Sequence, residues 1–374
     1  MAAPVLLQPR PVGREAPCHG KRPMNWLIFG IGAIGAYVGG SLALAEQTGR
    51  RSNRVVFVDR PAVAAEIRRT GIHLNIAGRN QVLHAPQVAD SLEEALLSGP
   101  FDVAVFALKS YDTLNALEGM LPHLSQLPPF LCLQNGVDNE PTLQSLLGEG
   151  RVIAGTVTSA IGKAGPGQVA LERKRGMGVA AGHALSLPIV QSLTEAGLNA
   201  RLYPNAADMK WSKLLTNLLA NASSAILDLT PAEIFSHPRL FRMEIAALRE
   251  ALQVMKAQGI HIVDLPGTPV RALALATRLP AWLSRPLLQR AVGGGRGGKM
   301  PSFYLDLHSG SGKSEVGYLN GAVARHGERL GIPTPVNKLL TEVLLSLTRG
   351  ETDPAEFARQ PEKLLSRLYQ ASRS

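Results

Sequence analysis

Short apolar runs alternate with segments of helical periodicity along the first half of the chain. Four of them predict buried strands, at residues 26–29, 54–58, 102–108 and 130–133. Because helical segments lie between them, the order of elements favours a doubly wound parallel sheet with right-handed crossovers. After residue 152 the pattern changes to short alternating segments, which predict antiparallel strands at the edge of the sheet, at 152–157 and 167–171.

The periodicity becomes helical after residue 204. Long helices are predicted at 208–227 and 232–258, and a later helical stretch at 266–290 is interrupted by prolines. The chain is therefore expected to be an α/β protein, with an N-terminal Rossmann-type doubly wound sheet and a second, all-helical C-terminal domain. We place the sheet domain at residues 24–203 and the helical domain at residues 204–374. Prolines throughout residues 1–23 predict a disordered N-terminal extension there.

A glycine motif joins the first predicted strand to the helix that follows it. Its first glycine permits a tight turn, its second lets a pyrophosphate approach the backbone, and its third lets helix and strand pack closely. The N-terminus of the helix would then face the phosphates. In this context the motif predicts a dinucleotide-binding domain, and a glycine-rich turn in an unrelated α/β protein is the alternative. The motif consists of Gly30, Ile31, Gly32, Ala33, Ile34 and Gly35.

Polar residues also follow the other predicted strands. Asp59 and Arg60 come after the second strand, Lys109 after the third and Asn135 after the fourth. Ligands of such sheets bind beyond the carboxyl ends of the strands, so we expect these residues to meet Gly30 in one crevice. Asp59 would favour NAD by accepting from the ribose 2′-hydroxyl, whereas Arg60 would favour NADP through the 2′-phosphate. We predict NADP(H) as the cofactor.

The first long helix of the second half carries a polar stripe. Lys213, Asn217 and Asn221 are spaced at i, i+4 and i+8, so a continuous helix would place them on one face. In a desolvated crevice Lys213 could donate a proton near neutral pH; a solvated helix face is the alternative. Glu315 could pair with Lys213 and accept a hydrogen bond from a substrate hydroxyl, or be an ordinary first-turn glutamate. Ser302 could bind a carboxylate or cap a helix.

The composition narrows the class of protein. Hydrophobic residues make up 45% and charged residues 18% of the 374 residues, as in globular proteins. The net charge of +10 suits an anionic ligand, but no zinc-finger spacing or RNA-binding signature accompanies it, so no nucleic-acid partner is predicted. No apolar run approaches the roughly 18 residues of a membrane-spanning helix. Two cysteines without CxxC spacing indicate the reducing cytoplasm, and no metal site is predicted.

Taken together and in order, these motifs resemble the ketopantoate reductase (2-dehydropantoate 2-reductase) family over roughly residues 25 to 345. The matching pieces are the glycine motif, Ala107-Leu108-Lys109, Leu133-Gln134-Asn135-Gly136, Trp211-Ser212-Lys213-Leu214 with Asn217 and Asn221, and Glu315 with Tyr318-Leu319-Asn320-Gly321. The resemblance implies NADPH-dependent reduction of a 2-keto acid to a 2-hydroxy acid. The implied substrate is 2-dehydropantoate, which becomes pantoate in pantothenate and coenzyme A biosynthesis.

The resemblance also implies roles for individual residues. It makes Lys213 the general acid and Glu315 the residue that holds the substrate hydroxyl. Lys109 and Asn135 would contact both the cofactor and the substrate, and further substrate contacts would come from Asn217, Asn221 and Ser302. These roles suit the reaction, since a cationic lysine can stabilise the developing alkoxide and then donate its proton.

Two features depart from the family's usual pattern and keep alternatives open. An acidic residue, Asp59, precedes Arg60, which leaves the choice between NADP and NAD open. The segment from Leu265 to Met300 is longer and richer in glycine, which leaves the substrate open. A related hydroxyacid or opine-type dehydrogenase and a non-catalytic NADP-binding regulator are the alternatives. The expected partner is a small-molecule 2-keto acid; a homodimer is compatible with the sequence, which does not determine the oligomeric state.

Overall fold

The computed structural model describes residues 23–49, 53–296 and 299–371. The extension predicted at residues 1–23 therefore lies outside the described residues, except for its last position. The described residues contain twelve strands, and all of them lie in the first part of the chain. They are β1 (Met24–Phe29), β2 (Asn53–Val58), β3 (Ile72–Ile76), β4 (Arg79–Leu83), β5 (Gln87–Ala89), β6 (Val103–Phe106), β7 (Phe130–Cys132), β8 (Val152–Val157), β9 (Ala160–Gly165), β10 (Gln168–Arg173), β11 (Met177–Ala180) and β12 (Ala200–Tyr203).

Helices lie between some of the strands and are the main regular elements of the described residues after 203. None of those described is long and apolar enough to cross a membrane. The helices are α1 (Ala33–Gln47), α2 (Pro61–Thr70), α3 (Leu92–Leu97), α4 (Thr113–Met120), α5 (Asn139–Leu147), α6 (Ser186–Glu195), α7 (Ala206–Leu218), α8 (Asn221–Leu227), α9 (Pro231–Ser236), α10 (Pro238–Ala257), α11 (Val270–Ala276), α12 (Ala281–Arg296), α13 (Ser302–His308), α14 (Asn320–Arg329), α15 (Pro335–Thr348) and α16 (Pro361–Ala371). Short 3₁₀ turns occur at Ser110–Asp112, Leu121–His123, Glu315–Tyr318 and Pro354–Glu356.

Eight strands form one sheet in the order β12-β11-β8-β7-β6-β1-β2-β5. The six strands from β8 to β5 in that order run parallel to one another, which confirms the predicted doubly wound sheet. The predicted strands are apolar on both faces because helices cover both sides of a parallel sheet. On one face Phe29, Phe106 and Phe130 pack together, with ring centroids 5.6 to 6.2 Å apart. The carboxyl ends of β1, β2, β6 and β7 consequently open on one edge.

The sequence predicts two antiparallel strands at the edge of this sheet, and that prediction is wrong. β8 lies inside the sheet, parallel to β7, and is antiparallel only to β11. β10 belongs to a second sheet, of order β4-β3-β10-β9, in which it runs parallel to β3. This second sheet packs over α1 through Leu74 and Val169. An alternating pattern indicates that one strand face is exposed, but it does not say which strand is the partner.

The helix predicted at 208–227 is two helices in the structure. α7 and α8 are separated at Ala220, which adopts a left-handed conformation with a φ of 48°. Glu244 of α10 stabilises this break. Its carboxylate oxygens accept hydrogen bonds from Ala220 N at 2.7 Å and from Ser223 Oγ at 2.6 Å. Glu244 is 2% exposed, and burial raises its pKa to about 7. A buried carboxylate far along the chain therefore determines where α7 ends.

The helix predicted at 232–258 is also divided, between α9 and α10. The division falls at His237, because a residue that precedes proline is disfavoured in helical conformation and Pro238 follows it. Further on, α12 continues through Pro286 and into the glycine-rich stretch. The last strand ends at Tyr203 and α7 begins at Ala206. These bounds lie beside the domain boundary placed at residues 203 and 204, which stays a prediction.

Candidate active site

The glycine motif forms the turn between β1 and α1. Gly30 has a φ of +87°, a left-handed conformation that glycine adopts without strain. A Cβ at Gly35 would lie 1.8 Å from Gly30 O, so the third glycine is required for helix and strand to pack. A Cβ at Gly32 would meet no protein atom within 4 Å, and Gly32 has no side chain to cap the amides of the first turn of α1. This open cradle beneath a helix N-terminus fits a pyrophosphate.

Asp59 and Arg60, at the end of β2, point to different surroundings. The Asp59 carboxylate turns towards the glycine motif, where Oδ2 accepts from Ile31 N at 2.6 Å and Oδ1 accepts from Arg60 N at 2.8 Å. The Asp59 side chain is 12% exposed, whereas the Arg60 side chain is 87% exposed. The two backbone bonds leave acceptor capacity on the Asp59 carboxylate, whereas the Arg60 guanidinium, with its Nε 3.8 Å from Asp59 Oδ1, is the exposed cation at this strand end.

Lys109, at the end of β6, lies in a cluster of charged residues contributed by both halves of the chain. Its Nζ donates to Glu315 Oε2 at 2.9 Å and to Asp306 Oδ1 at 3.1 Å. Ser110 lies against the other oxygen of the glutamate: Ser110 N and Oγ are each 3.2 Å from Glu315 Oε1. Glu315 itself is 5% exposed. A buried carboxylate is therefore held at the carboxyl edge of the sheet by a lysine and a serine.

The electrostatics of this cluster keep Lys109 charged. Burial alone would lower the pKa of Lys109, but the carboxylates of Glu315 and Asp306 more than offset burial and raise the pKa above its ordinary value. Burial raises the pKa of Asp306, although Lys109 opposes that shift. A lysine whose pKa is raised retains its proton near neutral pH, so Lys109 can bind or stabilise negative charge but is a poor proton donor.

Asn135, at the end of β7, meets the helices through Asn217 of α7. Asn217 Nδ2 donates to Asn135 Oδ1 at 3.1 Å. Asn221 continues the contacts: its Nδ2 donates to Asn217 O at 3.1 Å and its Oδ1 accepts from Phe303 N at 3.1 Å. Ser302, the first residue of α13, has its Oγ 3.4 Å from Asn221 Nδ2. These four predicted site residues therefore form one chain of contacts.

The polar stripe on α7 is shorter than the sequence predicts. Asn221 is the first residue of α8 and not a third position of α7, so the prediction of one continuous stripe is wrong. Lys210, Lys213 and Asn217 lie on one face of α7, since they are spaced at i, i+3 and i+7. The first and last of them contact the end of β7, and the half-buried Lys213 stands between them. The ion pair that the structure shows for Glu315 is with Lys109, where the sequence suggested Lys213.

The glycine motif and the two polar groups adjoin one another. The packing of Leu108 against Gly30 brings Lys109 beside the motif, since a Cβ at Gly30 would lie 2.7 Å from the Leu108 side chain. Ser110 Oγ then lies 3.1 Å from Asn135 O, which joins the charged cluster to the asparagines. The described residues bring together no group of three or more His, Cys, Asp or Glu side chains that could hold a metal ion. The arrangement suits an anionic ligand placed between a dinucleotide and buried polar side chains.

Three residues of this site were not singled out from the sequence. Ser110 and Asp306 contact Glu315 or Lys109, and Lys210 is buried under the end of β7. A weak signal was available for Asp306, which follows Ser302 by four residues and so shares its face of a short helix. Ser110 and Lys210 are neighbours of predicted residues, but their partners are distant in the chain and left no local pattern.

The sequence matches the models of one protein family over most of its length. Residues 26–182 match the family model described as "Ketopantoate reductase PanE/ApbA", and residues 205–347 match the model of its C-terminal part. A 2-dehydropantoate 2-reductase of Streptococcus pyogenes is 23% identical over 330 residues, which cover 85% of this chain and 95% of the relative. A 2-dehydropantoate 2-reductase of Halobacterium salinarum is 24% identical over 333 residues, which cover 86% of this chain and 98% of the relative.

Solved structures with the same fold include two kinds of enzyme. A PanE/ApbA family ketopantoate reductase from Ralstonia eutropha has a TM-score of 0.73 and 27% identity, and the match covers 88% of this chain and 99% of that one. D-mandelate dehydrogenase, solved with NADH and anilino(oxo)acetate, has a TM-score of 0.70 and 22% identity over 87% of this chain and 99% of that one. At 22% identity the second likeness shows the fold alone.

Proposed function

Because the chain belongs to the ketopantoate reductase family, whose members are oxidoreductases acting on CH–OH groups, we propose that it reduces a 2-keto acid to a 2-hydroxy acid with NADPH. The preferred substrate is 2-dehydropantoate, the one named for its relatives, and the product pantoate would enter pantothenate and coenzyme A biosynthesis. The observation that carries the proposal is the chain of contacts from Glu315 through Ser110 to Asn135 and Asn217, beside the glycine motif.

Each residue of the site has a proposed role in the reaction. Bound nicotinamide dinucleotide supplies a hydride, and the glycine motif would hold its pyrophosphate. Lys213 donates the proton to the substrate oxygen and stabilises negative charge as it develops there. Glu315 accepts a hydrogen bond from the hydroxyl that the substrate carries. Lys109 keeps its proton and contributes positive charge, while Asn135, Asn217, Asn221 and Ser302 orient the substrate.

The two alternative functions are a hydroxyacid dehydrogenase with another substrate and an NADP-binding regulator. A hydroxyacid dehydrogenase with another substrate is supported by the fold shared with D-mandelate dehydrogenase and by the long segment at 265–300. An NADP-binding regulator would need only the glycine motif and Arg60. The buried cluster around Glu315 argues against the regulator, since burying charges without a catalytic use costs stability.

The substrate class is tested with purified full-length protein and a panel of 2-keto acids, each assayed with NADPH and with NADH. The panel contains 2-dehydropantoate, phenylglyoxylate, pyruvate and 2-ketoisovalerate. The proposal expects the highest kcat/KM with 2-dehydropantoate and NADPH. Highest activity with an aromatic keto acid would assign the dehydrogenase alternative. Binding of NADPH without turnover of any keto acid would favour the regulator.

The cofactor preference is expected to depend on Arg60. Arg60→Ala should raise the KM for NADPH about 10- to 100-fold, because a charge-assisted hydrogen bond to the 2′-phosphate is lost. The KM for NADH should change less than about 2-fold, since NADH carries no 2′-phosphate for Arg60 to bind. Arg69→Ala, which removes another exposed arginine from the neighbouring helix, serves as the control and should change neither KM. Equal effects of Arg60→Ala on both cofactors would make Asp59 the determinant and reverse the assignment.

A further inference from the structure

Lys210 is a buried lysine beneath the site that the proposed reaction does not use. It lies on α7, three residues before Lys213, and is 5% exposed. Its Nζ donates to Gln134 O at 2.7 Å and to Gly155 O at 3.4 Å, and forms an ion pair with Glu140 Oε1 at 2.7 Å. A single buried ammonium group therefore lies among two backbone carbonyls and one carboxylate.

The acceptors of Lys210 belong to the strand ends that form the site. Gln134 immediately precedes Asn135, and Gly155 lies on β8, the neighbouring strand. The Gln134 side chain contacts the end of β6, because its Nε2 donates to Leu108 O at 3.1 Å. Leu108 is the residue directly before Lys109. One buried ammonium group therefore contacts the backbone from which Asn135 projects and, through Gln134, the strand end that carries Lys109.

The charge of Lys210 is retained in the interior. Burial alone would lower the pKa of Lys210, but the carboxylate of Glu140 more than offsets burial and raises it. Keeping a charge buried is expensive, and a well-packed apolar pair of similar volume often stabilises a fold as well or better. The folding of the sheet alone therefore gives no reason for a cation at this place.

We infer that Lys210 is a positioning residue for the reaction, holding the backbone of Gln134 so that Asn135 meets Asn217 and, with it, the substrate. This inference rests on the proposed function. Lys210 and Asn217 are seven residues apart on the same face of α7, and each contacts one of two consecutive residues, Gln134 and Asn135. Two contacts between one rigid helix and one strand end determine both the distance and the direction of approach. With the first removed, Asn135 O would still accept from Ser110 Oγ and Asn139 Nδ2, but the hydrogen bond from α7 to the neighbouring Gln134 would be lost.

The test removes the charge pair as a unit, because Lys210→Met alone would leave Glu140 buried without its cation. The variants are Lys210→Met/Glu140→Gln, Glu140→Gln as the matched control that keeps Lys210, and both again in an Asn135→Ala background. We expect the double substitution to lower kcat/KM for the keto acid about 10-fold, since displacement of a substrate-orienting group is costly. The KM for NADPH should stay within about 2-fold of its original value.

The thermodynamic cycle separates positioning from a general structural role. In the Asn135→Ala background the same double substitution should change kcat/KM less than about 2-fold, because residues acting through one another are not additive. Glu140→Gln should lower the melting temperature but leave kcat/KM within about 2-fold. Additive effects, an unchanged kcat/KM, or a double variant that does not fold would each overturn the inference; in the last case Lys210 would serve the whole fold.

A readout without turnover distinguishes failure of this inference from failure of the proposed function. Amide hydrogen exchange in the peptide covering residues 133–137 should accelerate about 10-fold in the double variant, whereas exchange in β1 should not change. If the unsubstituted protein is inactive on every keto acid, the proposed function is refuted. Hydrogen exchange would still show in that case whether Lys210 stabilises residues 133–137. Active original protein with unchanged exchange and kinetics in the double variant would refute the role of Lys210 alone.

Discussion

Replacing Lys213 by alanine is expected to lower kcat for the keto acid at least about 100-fold, as loss of a general acid does. Lys213 lies on the face of α7 between Lys210 and Asn217, and both of these residues contact the end of β7, where the substrate is proposed to bind. The KM for NADPH should barely change, because the glycine motif and Arg60 belong to the other half of the chain. Steady-state kinetics with 2-dehydropantoate at saturating NADPH provide the measurement.

Two further variants interpret that result. Lys213→Arg should not restore the rate, because the pKa of arginine is too high for proton release near neutrality and its planar fork does not fit a site for a point charge. Lys256→Ala, which removes an exposed lysine from α10, is the matched control and should leave kcat unchanged. Full rescue by arginine would mean that charge alone matters and that water delivers the proton. An alanine variant with the original turnover would end the assignment of Lys213.

Glu315→Gln is expected to lower kcat/KM for the keto acid about 100-fold. The carboxylate is 5% exposed and accepts hydrogen bonds from Lys109 and Ser110. An amide in its place would be neutral and would direct donor hydrogens towards groups that are themselves donors. The substrate hydroxyl would then lose its acceptor, and Lys109 would lose one of its two carboxylates. The ratio of kcat/KM values for 2-dehydropantoate and for 2-ketoisovalerate, which has no such hydroxyl, isolates the first effect.

The matched control for Glu315→Gln is Asp112→Asn, which removes an acidic residue of the same loop region whose ion pair with Lys313 is exposed. An exposed pair contributes little, so kcat/KM should change less than about 2-fold. The proposed role of Glu315 requires a larger loss for 2-dehydropantoate than for 2-ketoisovalerate. Equal losses for both substrates would show that Glu315 acts through Lys109 and not through the hydroxyl.

The residues at the strand ends illustrate which features of the site can be predicted from local sequence patterns. The positions of Asp59, Lys109 and Asn135 at the carboxyl edge follow from the apolar runs before them, because parallel strands present the same end to one side. The sequence therefore predicts that they share a crevice. In the structure Ser110 Oγ contacts Asn135 O and Glu315, and Glu315 is the ion-pair partner of Lys109. The direction in which each side chain points was not predictable in this way. Asp59 turns to the backbone of Ile31, which the order of the residues does not reveal.

Features of this protein that have a local cause can be predicted from the order of its residues. The glycine motif is one, since the left-handed Gly30 and the close approach at Gly35 follow from backbone geometry within six residues. The parallel sheet is another, because continuous apolar runs require burial on both faces.

Features whose cause lies in a distant segment depend on how the chain folds and become visible in the folded protein. Asp306 meets Lys109 across 197 positions of the chain, and Glu244 ends α7 from 24 positions away. Lys210 reaches Gln134 across 76 positions. A hydrogen bond or an ion pair depends on distance in space, and the folded backbone alone fixes that distance for residues far apart in sequence. For this reason the sequence could nominate residues for the candidate site, whereas their pairing could not be predicted from it.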